Sequence, residues 1–215
     1  MKKLVMVGLA LALLSLPVVA SADDSSEKDV LEVGLGGGFS VPAGGATNWN
    51  DSLGAKSGWA LGGEIGYFLN ANLTLGFSAK YSQFGRKETA IDPKQHHRVY
   101  NPALFLKYHF WGNSSFVPYV SGNFGLMFPK FSRIVVDNGA SKYRELGYRP
   151  GLAAGVGAGV FYYTTDYSGL FIEADYTMGF TKKVTKAYQD QKYSFGKNIS
   201  VMNVRAGIEV FFGSK

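Results

Sequence analysis

Apolar and polar residues alternate one by one along most of the chain, which is the period of a β-strand. The stretch from Leu170 to Phe180 shows this most clearly, with large apolar residues on one parity and polar or small residues on the other. The alternation recurs eight times and predicts strands at 30–42, 58–68, 73–84, 98–110, 116–128, 150–163, 169–180 and 199–212. Each predicted strand therefore has one apolar face and one polar face.

The links between the predicted strands are short and long in turn. The tight links at 69–72, 111–115 and 164–168 are rich in Asn, Gly, Asp and Ser, which favour turns. The other four links, at 43–57, 85–97, 129–149 and 181–198, are long. Bacterial outer-membrane barrels have short periplasmic turns, long external loops and an even number of strands. The pattern predicts an all-β, eight-stranded antiparallel up-and-down transmembrane β-barrel with both ends in the periplasm.

The apolar parity of these strands carries no charge, and it includes rings such as Trp59, Tyr81 and Tyr100. Placing Lys or Arg on a lipid-facing surface at mid-depth costs about 2–4 kcal/mol, so an uncharged face is typical of strands that cross a bilayer. Pro102 and Pro118 each remove a donor from the strand ladder. We expect both prolines near strand ends, where the cost is lower.

The first residues indicate export. Lys2 and Lys3 precede an apolar run that ends at Ala20-Ser21-Ala22, a signal-peptidase site. We predict a signal peptide at 1–22 cleaved after Ala22, a short periplasmic leader at 23–29, and a transmembrane β-barrel domain at 30–215. The chain has no cysteine, which excludes a disulfide scaffold, an iron–sulfur site and a lipoprotein anchor. The expected location is the bacterial outer membrane.

Two segments resemble a known group of proteins. Tyr-Asn-Pro-Ala-Leu-Phe-Leu-Lys-Tyr-His-Phe at 100–110, a Gly-Asn-Ser turn, and Phe-Val-Pro-Tyr-Val-Ser-Gly at 116–122 resemble the fourth strand, turn and fifth strand of small outer-membrane barrels of the OmpW and OmpX-like type. The glycine-rich strand at 151–160 is similar to that group as well. The resemblance implies either a hydrophobic passage linked to stress adaptation or surface interactions through the loops.

The resemblance also implies a partner during insertion. Barrels of this type usually finish on an aromatic residue that resembles the signal read by the barrel-assembly machinery. In this chain Phe212 is followed by Gly213, Ser214 and Lys215, so the aromatic residue is not the last one. We expect assembly to tolerate a three-residue tail.

The inward parity carries charges of both signs on several strands. An eight-stranded barrel is just wide enough for side chains to fill, so these charges are expected to meet one another. One interpretation is a salt-bridged plug, and the other is a narrow gated path for protons, ions or a thin solute. In either case we expect Arg205 to pair with Glu173 or Asp175. The predicted lumen cluster comprises Glu64, Lys80, Lys107, Glu173, Asp175, Arg205 and Glu209, and the same parity also carries Glu32, His109, Tyr119 and Asn123.

The long links contain 14 basic residues against six acidic ones. The outer leaflet of a Gram-negative envelope is lipopolysaccharide, which is crowded with phosphate and carboxylate groups, so a basic external rim suits it. An adhesin-like surface that binds host polyanions or serum factors is the alternative. Nucleic acid is a poor partner because an exported barrel has no recognition helix. The candidate anion-binding residues are Arg86, Lys87, Lys130, Arg133, Arg144, Lys182, Lys183 and Lys186.

Catalysis is not expected. The chain has three histidines, and no strand is expected to bring a serine and a carboxylate to one of them at matching depth. His96 and His97 as a metal or pH site is a weak alternative, because a solvated loop pair lacks partner ligands. The glycines at 34–38 are not a phosphate loop, since no helix follows them. We expect no enzyme and no cofactor, but a structural or small-solute barrel whose basic loops contact lipopolysaccharide.

Overall fold

The computed structural model describes residues 30–44, 55–86, 96–111, 115–137, 140–147, 150–181, 184–188, 191–195 and 198–213. For 131–147 and 184–195 the description is of the backbone. The predicted signal peptide and leader, residues 1–29, lie outside these ranges. Among the described residues, no helix is long and apolar enough to cross a membrane.

Eleven strands form in the described ranges. They are β1 Leu31–Gly44, β2 Ala55–Asn70, β3 Leu73–Arg86, β4 His97–His109, β5 Phe116–Asp137, β6 Ala140–Gly147, β7 Gly151–Thr165, β8 Ser168–Phe180, β9 Val184–Tyr188, β10 Gln191–Phe195 and β11 Ile199–Phe212. Eight of them coincide with the eight predicted strands. The remaining three, β6, β9 and β10, lie in links that the sequence analysis left without strands.

The eight long strands close into a barrel. Their order around the ring is β1, β2, β3, β4, β5, β7, β8 and β11, every pair is antiparallel, and β11 pairs with β1. The register between β1 and β11 runs without a break from Leu31 opposite Phe212 to Gly44 opposite Ile199. Each barrel strand thus has two neighbours, which confirms the predicted fold class.

Two of the predicted long links are partly strand. β5 continues beyond the barrel wall to Asp137 and pairs there with β6, from Lys130 opposite Gly147 to Asp137 opposite Ala140. β9 and β10 form a separate two-stranded sheet. The prediction was wrong here because it followed the alternation required by lipid, whereas a hairpin outside the bilayer needs only β-favouring residues such as those at 134–136.

The two faces of the wall are as predicted. The outward residues are exposed, with Phe39 at 74% and Ile172 at 63%, and carry rings and aliphatic chains. Three rings stand side by side on neighbouring strands: Trp59 and Tyr81 have ring centroids 5.2 Å apart, and Tyr81 and Tyr100 are 4.9 Å apart. Side chains of the opposite parity fill the lumen.

The two ends of the barrel differ. At one end, which we call the short-turn end, tight turns join β2 to β3 and β7 to β8, and the short link between β4 and β5 also lies there. In the first of these turns, Asn70 Oδ1 accepts hydrogen bonds from the backbone N–H groups of Asn72, at 2.9 Å, and Leu73, at 3.0 Å. The other end, the long-link end, carries the long links and the β5–β6 hairpin.

Pro102 lies in the middle of β4 rather than near its end, which corrects the prediction; Pro118, the third residue of β5, is near an end as expected. The carbonyl of Pro102 lies beside Gly125 of β5, so its nitrogen also faces β5. The β4–β5 register places Leu126 opposite this nitrogen, which has no hydrogen to donate. Asn101 Nδ2 donates to the Leu126 carbonyl at 2.8 Å instead. A neighbouring amide thus replaces the missing backbone donor.

A double-mutant cycle can test whether the Asn101 side chain replaces the backbone donor that Pro102 lacks. Asn101→Ala should lower the free energy of unfolding by about 1–2 kcal/mol, because the Leu126 carbonyl loses its partner inside the bilayer. In a Pro102→Ala background the same change should cost less, since the new backbone N–H can donate to that carbonyl. Urea titration in lipid vesicles measures both costs, and equal losses in the two backgrounds would refute the idea.

Candidate functional site

The lumen is filled in three layers. Buried ion pairs occupy the middle, with an apolar layer at the long-link end and an aromatic layer at the short-turn end. The apolar layer consists of Ala55, Phe84, Val99, Met127, Ala153, Ile199 and Val201. The aromatic layer consists of Phe68, Val117, Tyr119, Phe161, Phe171 and Phe211, with Val30 and Tyr163 packed against it. Because these side chains are buried, the packing closes the lumen on both sides of the charges.

One ionic group centres on Lys107 of β4, and we call it the Lys107 cluster. Lys107 Nζ donates to Glu64 Oε1 of β2 at 2.6 Å and to Glu209 Oε1 of β11 at 2.7 Å. It also donates to Glu32 Oε1 of β1. Three carboxylates around one ammonium give a formal charge of −2. A single cation therefore joins four strands that are not all neighbours in the wall.

The second ionic group, the Arg205 cluster, lies nearer the long-link end. Arg205 Nη2 donates to Glu173 Oε1 at 2.7 Å, and Lys80 Nζ lies 3.0 Å from Asp175 Oδ1 and 3.6 Å from Glu173 Oε1. Asn203 Nδ2 donates to Asp175 Oδ1 at 3.2 Å. Two cations balance two carboxylates. This group confirms the expected partner of Arg205.

Glycines make room for both clusters. Gly34 lies between Glu64 and Glu209 in the ladder, and a Cβ at this position would lie 2.9 Å from Glu64 Cγ and 3.1 Å from Glu209 Cγ. A Cβ at Gly62 would come within 2.4 Å of Arg205 Nη1. The long side chains of Glu64, Glu209 and Arg205 thus occupy space that a Cβ at these positions would take.

All seven residues of the predicted lumen cluster lie in these two groups, and Glu32 joins them. Sequence analysis did not find Asn203, which also accepts from Ser40 at 2.7 Å and from Ser82 at 3.1 Å. It also missed the apolar and aromatic layers. The signal was present in the sequence, because the inward parity carries phenylalanines as well as charged and polar residues. The missed rings are Phe68, Phe84, Phe105, Phe161, Phe171 and Phe211.

His109 has a hydroxyl and a carboxylate nearby. Its Nε2 lies 3.3 Å from Thr74 Oγ1 and 3.8 Å from Glu32 Oε2. Both groups face the same ring nitrogen, whereas a nucleophile–histidine–acid relay needs them on different nitrogens. The ring is also stacked between Phe68, at 5.4 Å, and Trp111, at 5.8 Å, and it is buried. This arrangement suits packing rather than catalysis.

The residues that could share a metal ion differ from the histidine pair considered in the sequence. Within the described ranges, the group of His and carboxylate residues close enough to share an ion is Glu32, Glu64 and Glu209, and Lys107 already lies among their oxygens. His97 is buried at the start of β4 instead of lying in a solvated loop as expected.

The candidate anion-binding residues lie at the long-link end where the structure describes them. Lys130 Nζ lies 5.6 Å from the centre of the Tyr100 ring, and the β4–β5 register places Lys130 opposite Arg98. On the β5–β6 hairpin, the register places Arg133 opposite Arg144. Arg86 is the last residue of β3, and Lys186 lies in β9. Lys87, Lys182 and Lys183 fall outside the described residues.

Lys107→Gln should destabilise the barrel strongly. The substitution leaves three buried carboxylates without a cation, and breaking a buried ion pair from one side costs about 3–5 kcal/mol. Urea titration in lipid vesicles measures the loss. Lys56→Gln, at an exposed position of β2, is the matched control and should change the free energy of unfolding by less than about 0.5 kcal/mol. Equal effects would contradict the central role of Lys107.

Arg205→Ala should lower thermal stability, but by less than Lys107→Gln. It strands the Glu173 carboxylate, yet Lys80 remains within 3.6 Å of that group. Adding Glu173→Gln to Arg205→Ala should recover part of the loss, because it removes the stranded charge. Thermal unfolding followed by electrophoretic mobility compares the variants, and unchanged stability of Arg205→Ala would refute the pairing.

Residues 8–201 match the family described as "Outer membrane protein beta-barrel domain". No curated protein matches the chain significantly. These residues include most of the described barrel strands.

Solved structures share the fold at low identity. Neisserial surface protein A has a TM-score of 0.58 at 18% identity, and the alignment covers 85% of this chain and 97% of that one. OprG from Pseudomonas aeruginosa has a TM-score of 0.58 at 14% identity, over 87% and 97%. A major outer membrane protein from Thermus thermophilus has a TM-score of 0.50 at 13% identity, over 86% and 99%. These structures share the fold, and the match to the family model shows that the chain belongs to the outer membrane protein β-barrel domain family.

Proposed function

We propose that this protein is a structural outer-membrane barrel with a closed lumen, and that its basic extracellular end binds the phosphate groups of lipopolysaccharide. Barrels of this family type place long loops outside the cell and short turns in the periplasm. The long-link end is then extracellular, and those candidate anion-binding residues that the structure describes lie there. We assign the function to the long-link end of the barrel and not to its lumen.

Repeated juxtaposition of like charges carries the proposal. The register of the continuous β4–β5–β6 ladder places Arg98 opposite Lys130, and then Arg133 opposite Arg144. Basic residues placed opposite one another on adjacent strands can contact one phosphate group together, and Arg and Lys form strong charge-assisted hydrogen bonds with phosphate. The leaflet at this end of the barrel is rich in phosphate groups.

The filled lumen supports the structural interpretation over small-solute passage. Two ionic clusters span the middle, and buried apolar and aromatic side chains lie on either side of them. A solute could cross only if ion pairs and packed rings separated together. We therefore expect no steady conductance from the protein in a planar bilayer, and a steady conductance would support the passage interpretation instead.

The other expectations remain predictions. Removal of residues 1–22 after export, insertion by the barrel-assembly machinery, and absence of enzymatic turnover are all consistent with an outer-membrane barrel. The His109 geometry supports the last of these, because its neighbours share one ring nitrogen. A lipid A deacylation assay on the purified protein tests it directly.

Replacing both Arg133 and Arg144 with Gln should weaken binding of the water-soluble, fully deacylated phospho-oligosaccharide of lipopolysaccharide by about thirtyfold, because each of the two lost charge-assisted hydrogen bonds is worth on the order of 1 kcal/mol. Calorimetric titration of the protein in phosphatidylcholine vesicles measures the affinity. The Lys, Lys variant at the same two positions keeps the charge and is the control. Identical affinities for the parent and the Gln, Gln variant would contradict the proposal.

An adhesin-like role is the second candidate. The β5–β6 hairpin favours it, because β5 runs beyond the barrel wall to Asp137 and offers an extended ladder outside the bilayer. Sulfated host polyanions would use the same cations. A variant with Lys182, Lys183 and Lys186 replaced by Gln would separate the two candidate functions. If this variant loses affinity for heparin but keeps its affinity for the phospho-oligosaccharide, the adhesin-like role is favoured.

A further inference from the structure

The outer face of the wall has an apolar groove of about 600 Å³ across β2, β3 and β4. Its floor is formed where short residues meet in the ladder: Gly63 pairs with Ala79, and Ala79 pairs with Pro102. These residues have the outward parity and lie about midway along their strands. Three adjacent positions without long side chains therefore create a depression where the rest of the wall presents large residues.

Large side chains form the walls of this groove. Leu35 borders it on one side, and Leu61, Tyr81 and Tyr100 border it toward the extracellular end, followed by Phe128. The rings of Tyr81 and Tyr100 stand 4.9 Å apart, so this border is packed. A narrow depression with ring and aliphatic walls in the hydrocarbon zone matches the shape and polarity of a lipid acyl chain.

One cation lines the extracellular end of the groove, and a second lies opposite it in the ladder. Lys130 lines its extracellular end, with Nζ 5.6 Å from the centre of the Tyr100 ring, and Arg98 lies opposite Lys130 in the ladder. In the same ladder row, Gln83 lies opposite Arg98 on β3 and Gly147 lies opposite Lys130 on β6. Lys130 is four residues along β5 from the position opposite Pro102, a distance of about 13 Å at the rise of an antiparallel strand.

We propose that the groove is a specific binding site for one acyl chain of lipid A, with a lipid A phosphate held at Lys130 and Arg98. The charge at one end and the apolar floor at mid-depth together select a lipid that is both anionic and acylated. The cations lie at the extracellular end, and the anionic lipid of that leaflet is lipopolysaccharide. This inference rests on the proposed orientation of the barrel and deepens the proposed contact with lipopolysaccharide.

Trp59 provides a reporter beside the groove, because its ring lies 5.2 Å from that of Tyr81. With Trp49 and Trp111 replaced by Phe, the purified protein is placed in vesicles of phosphatidylcholine with brominated acyl chains, which quench Trp59. Unbrominated lipid A is then added at contents too low to dilute the brominated lipid in bulk. Lipid A that occupies the groove should displace the brominated chains and restore fluorescence. No recovery would overturn the proposal.

Gly63→Leu should fill the groove and raise the lipid A content needed for half recovery by about tenfold, an effect typical of a few lost methylene contacts in a fitted site. A Cβ at Gly63 meets nothing closer than 3.6 Å, so the wall can accept it. Gly122→Leu is the matched control, because Gly122 is also on the outward parity and a Cβ there has nothing within 4 Å. Equal behaviour of the two variants would overturn the site.

Two further comparisons show which part of the proposal is wrong if lipid A does not bind as expected. Ala79→Leu fills the floor of the groove from the neighbouring strand and should weaken lipid A binding as Gly63→Leu does. Electrophoretic mobility shows whether each variant is folded. If both folded variants bind lipid A normally, the groove is not the binding site. Phosphatidylglycerol supplies an anionic phosphate on a different lipid, and equal displacement by it would overturn the assignment to lipid A. Gly63→Leu should retain affinity for the deacylated phospho-oligosaccharide, so loss of the groove and loss of the rim contact give different results.

Discussion

Backbone hydrogen bonding inside a bilayer is the constraint on which the rest of this structure depends. Lipid offers no partner for an unpaired N–H or C=O group, so a sheet can cross the membrane only when it closes on itself. The pairing of β1 with β11 provides that closure. Pro102 shows how strictly it applies, because the donor that the backbone lacks is supplied by the Asn101 side chain.

Closure with eight strands makes the lumen narrow, and the narrow lumen forces the inward charges together. Lys107 and Arg205 each bind carboxylates from other strands, while glycines opposite them leave room for the long side chains. The apolar and aromatic layers exclude water from both sides, which strengthens the ion pairs between them. The interior therefore links distant strands, and in the described part of the chain it is filled with buried side chains.

A filled interior leaves the outer surface to carry function, and that surface differs between its two ends. Short turns with aromatic packing lie at one end, while the β5–β6 hairpin and opposed basic residues lie at the other. The groove that starts at Gly63 reaches toward the same basic end. Phosphate recognition at the rim and acyl-chain recognition on the wall would then address two parts of a single lipid.

The sequence by itself determined the number of barrel strands, their two faces and the charged residues that face the lumen, because a period of two and the cost of charge in lipid act on each strand separately. Apart from the carboxylates considered for Arg205, it did not indicate which side chains meet or at what depth. Three glutamates meet at Lys107, Asn101 compensates for Pro102, and Gly63, Ala79 and Pro102 form one floor only because of the register between strands. Register arises from pairing around the closed ring, so only the tertiary structure could decide these contacts.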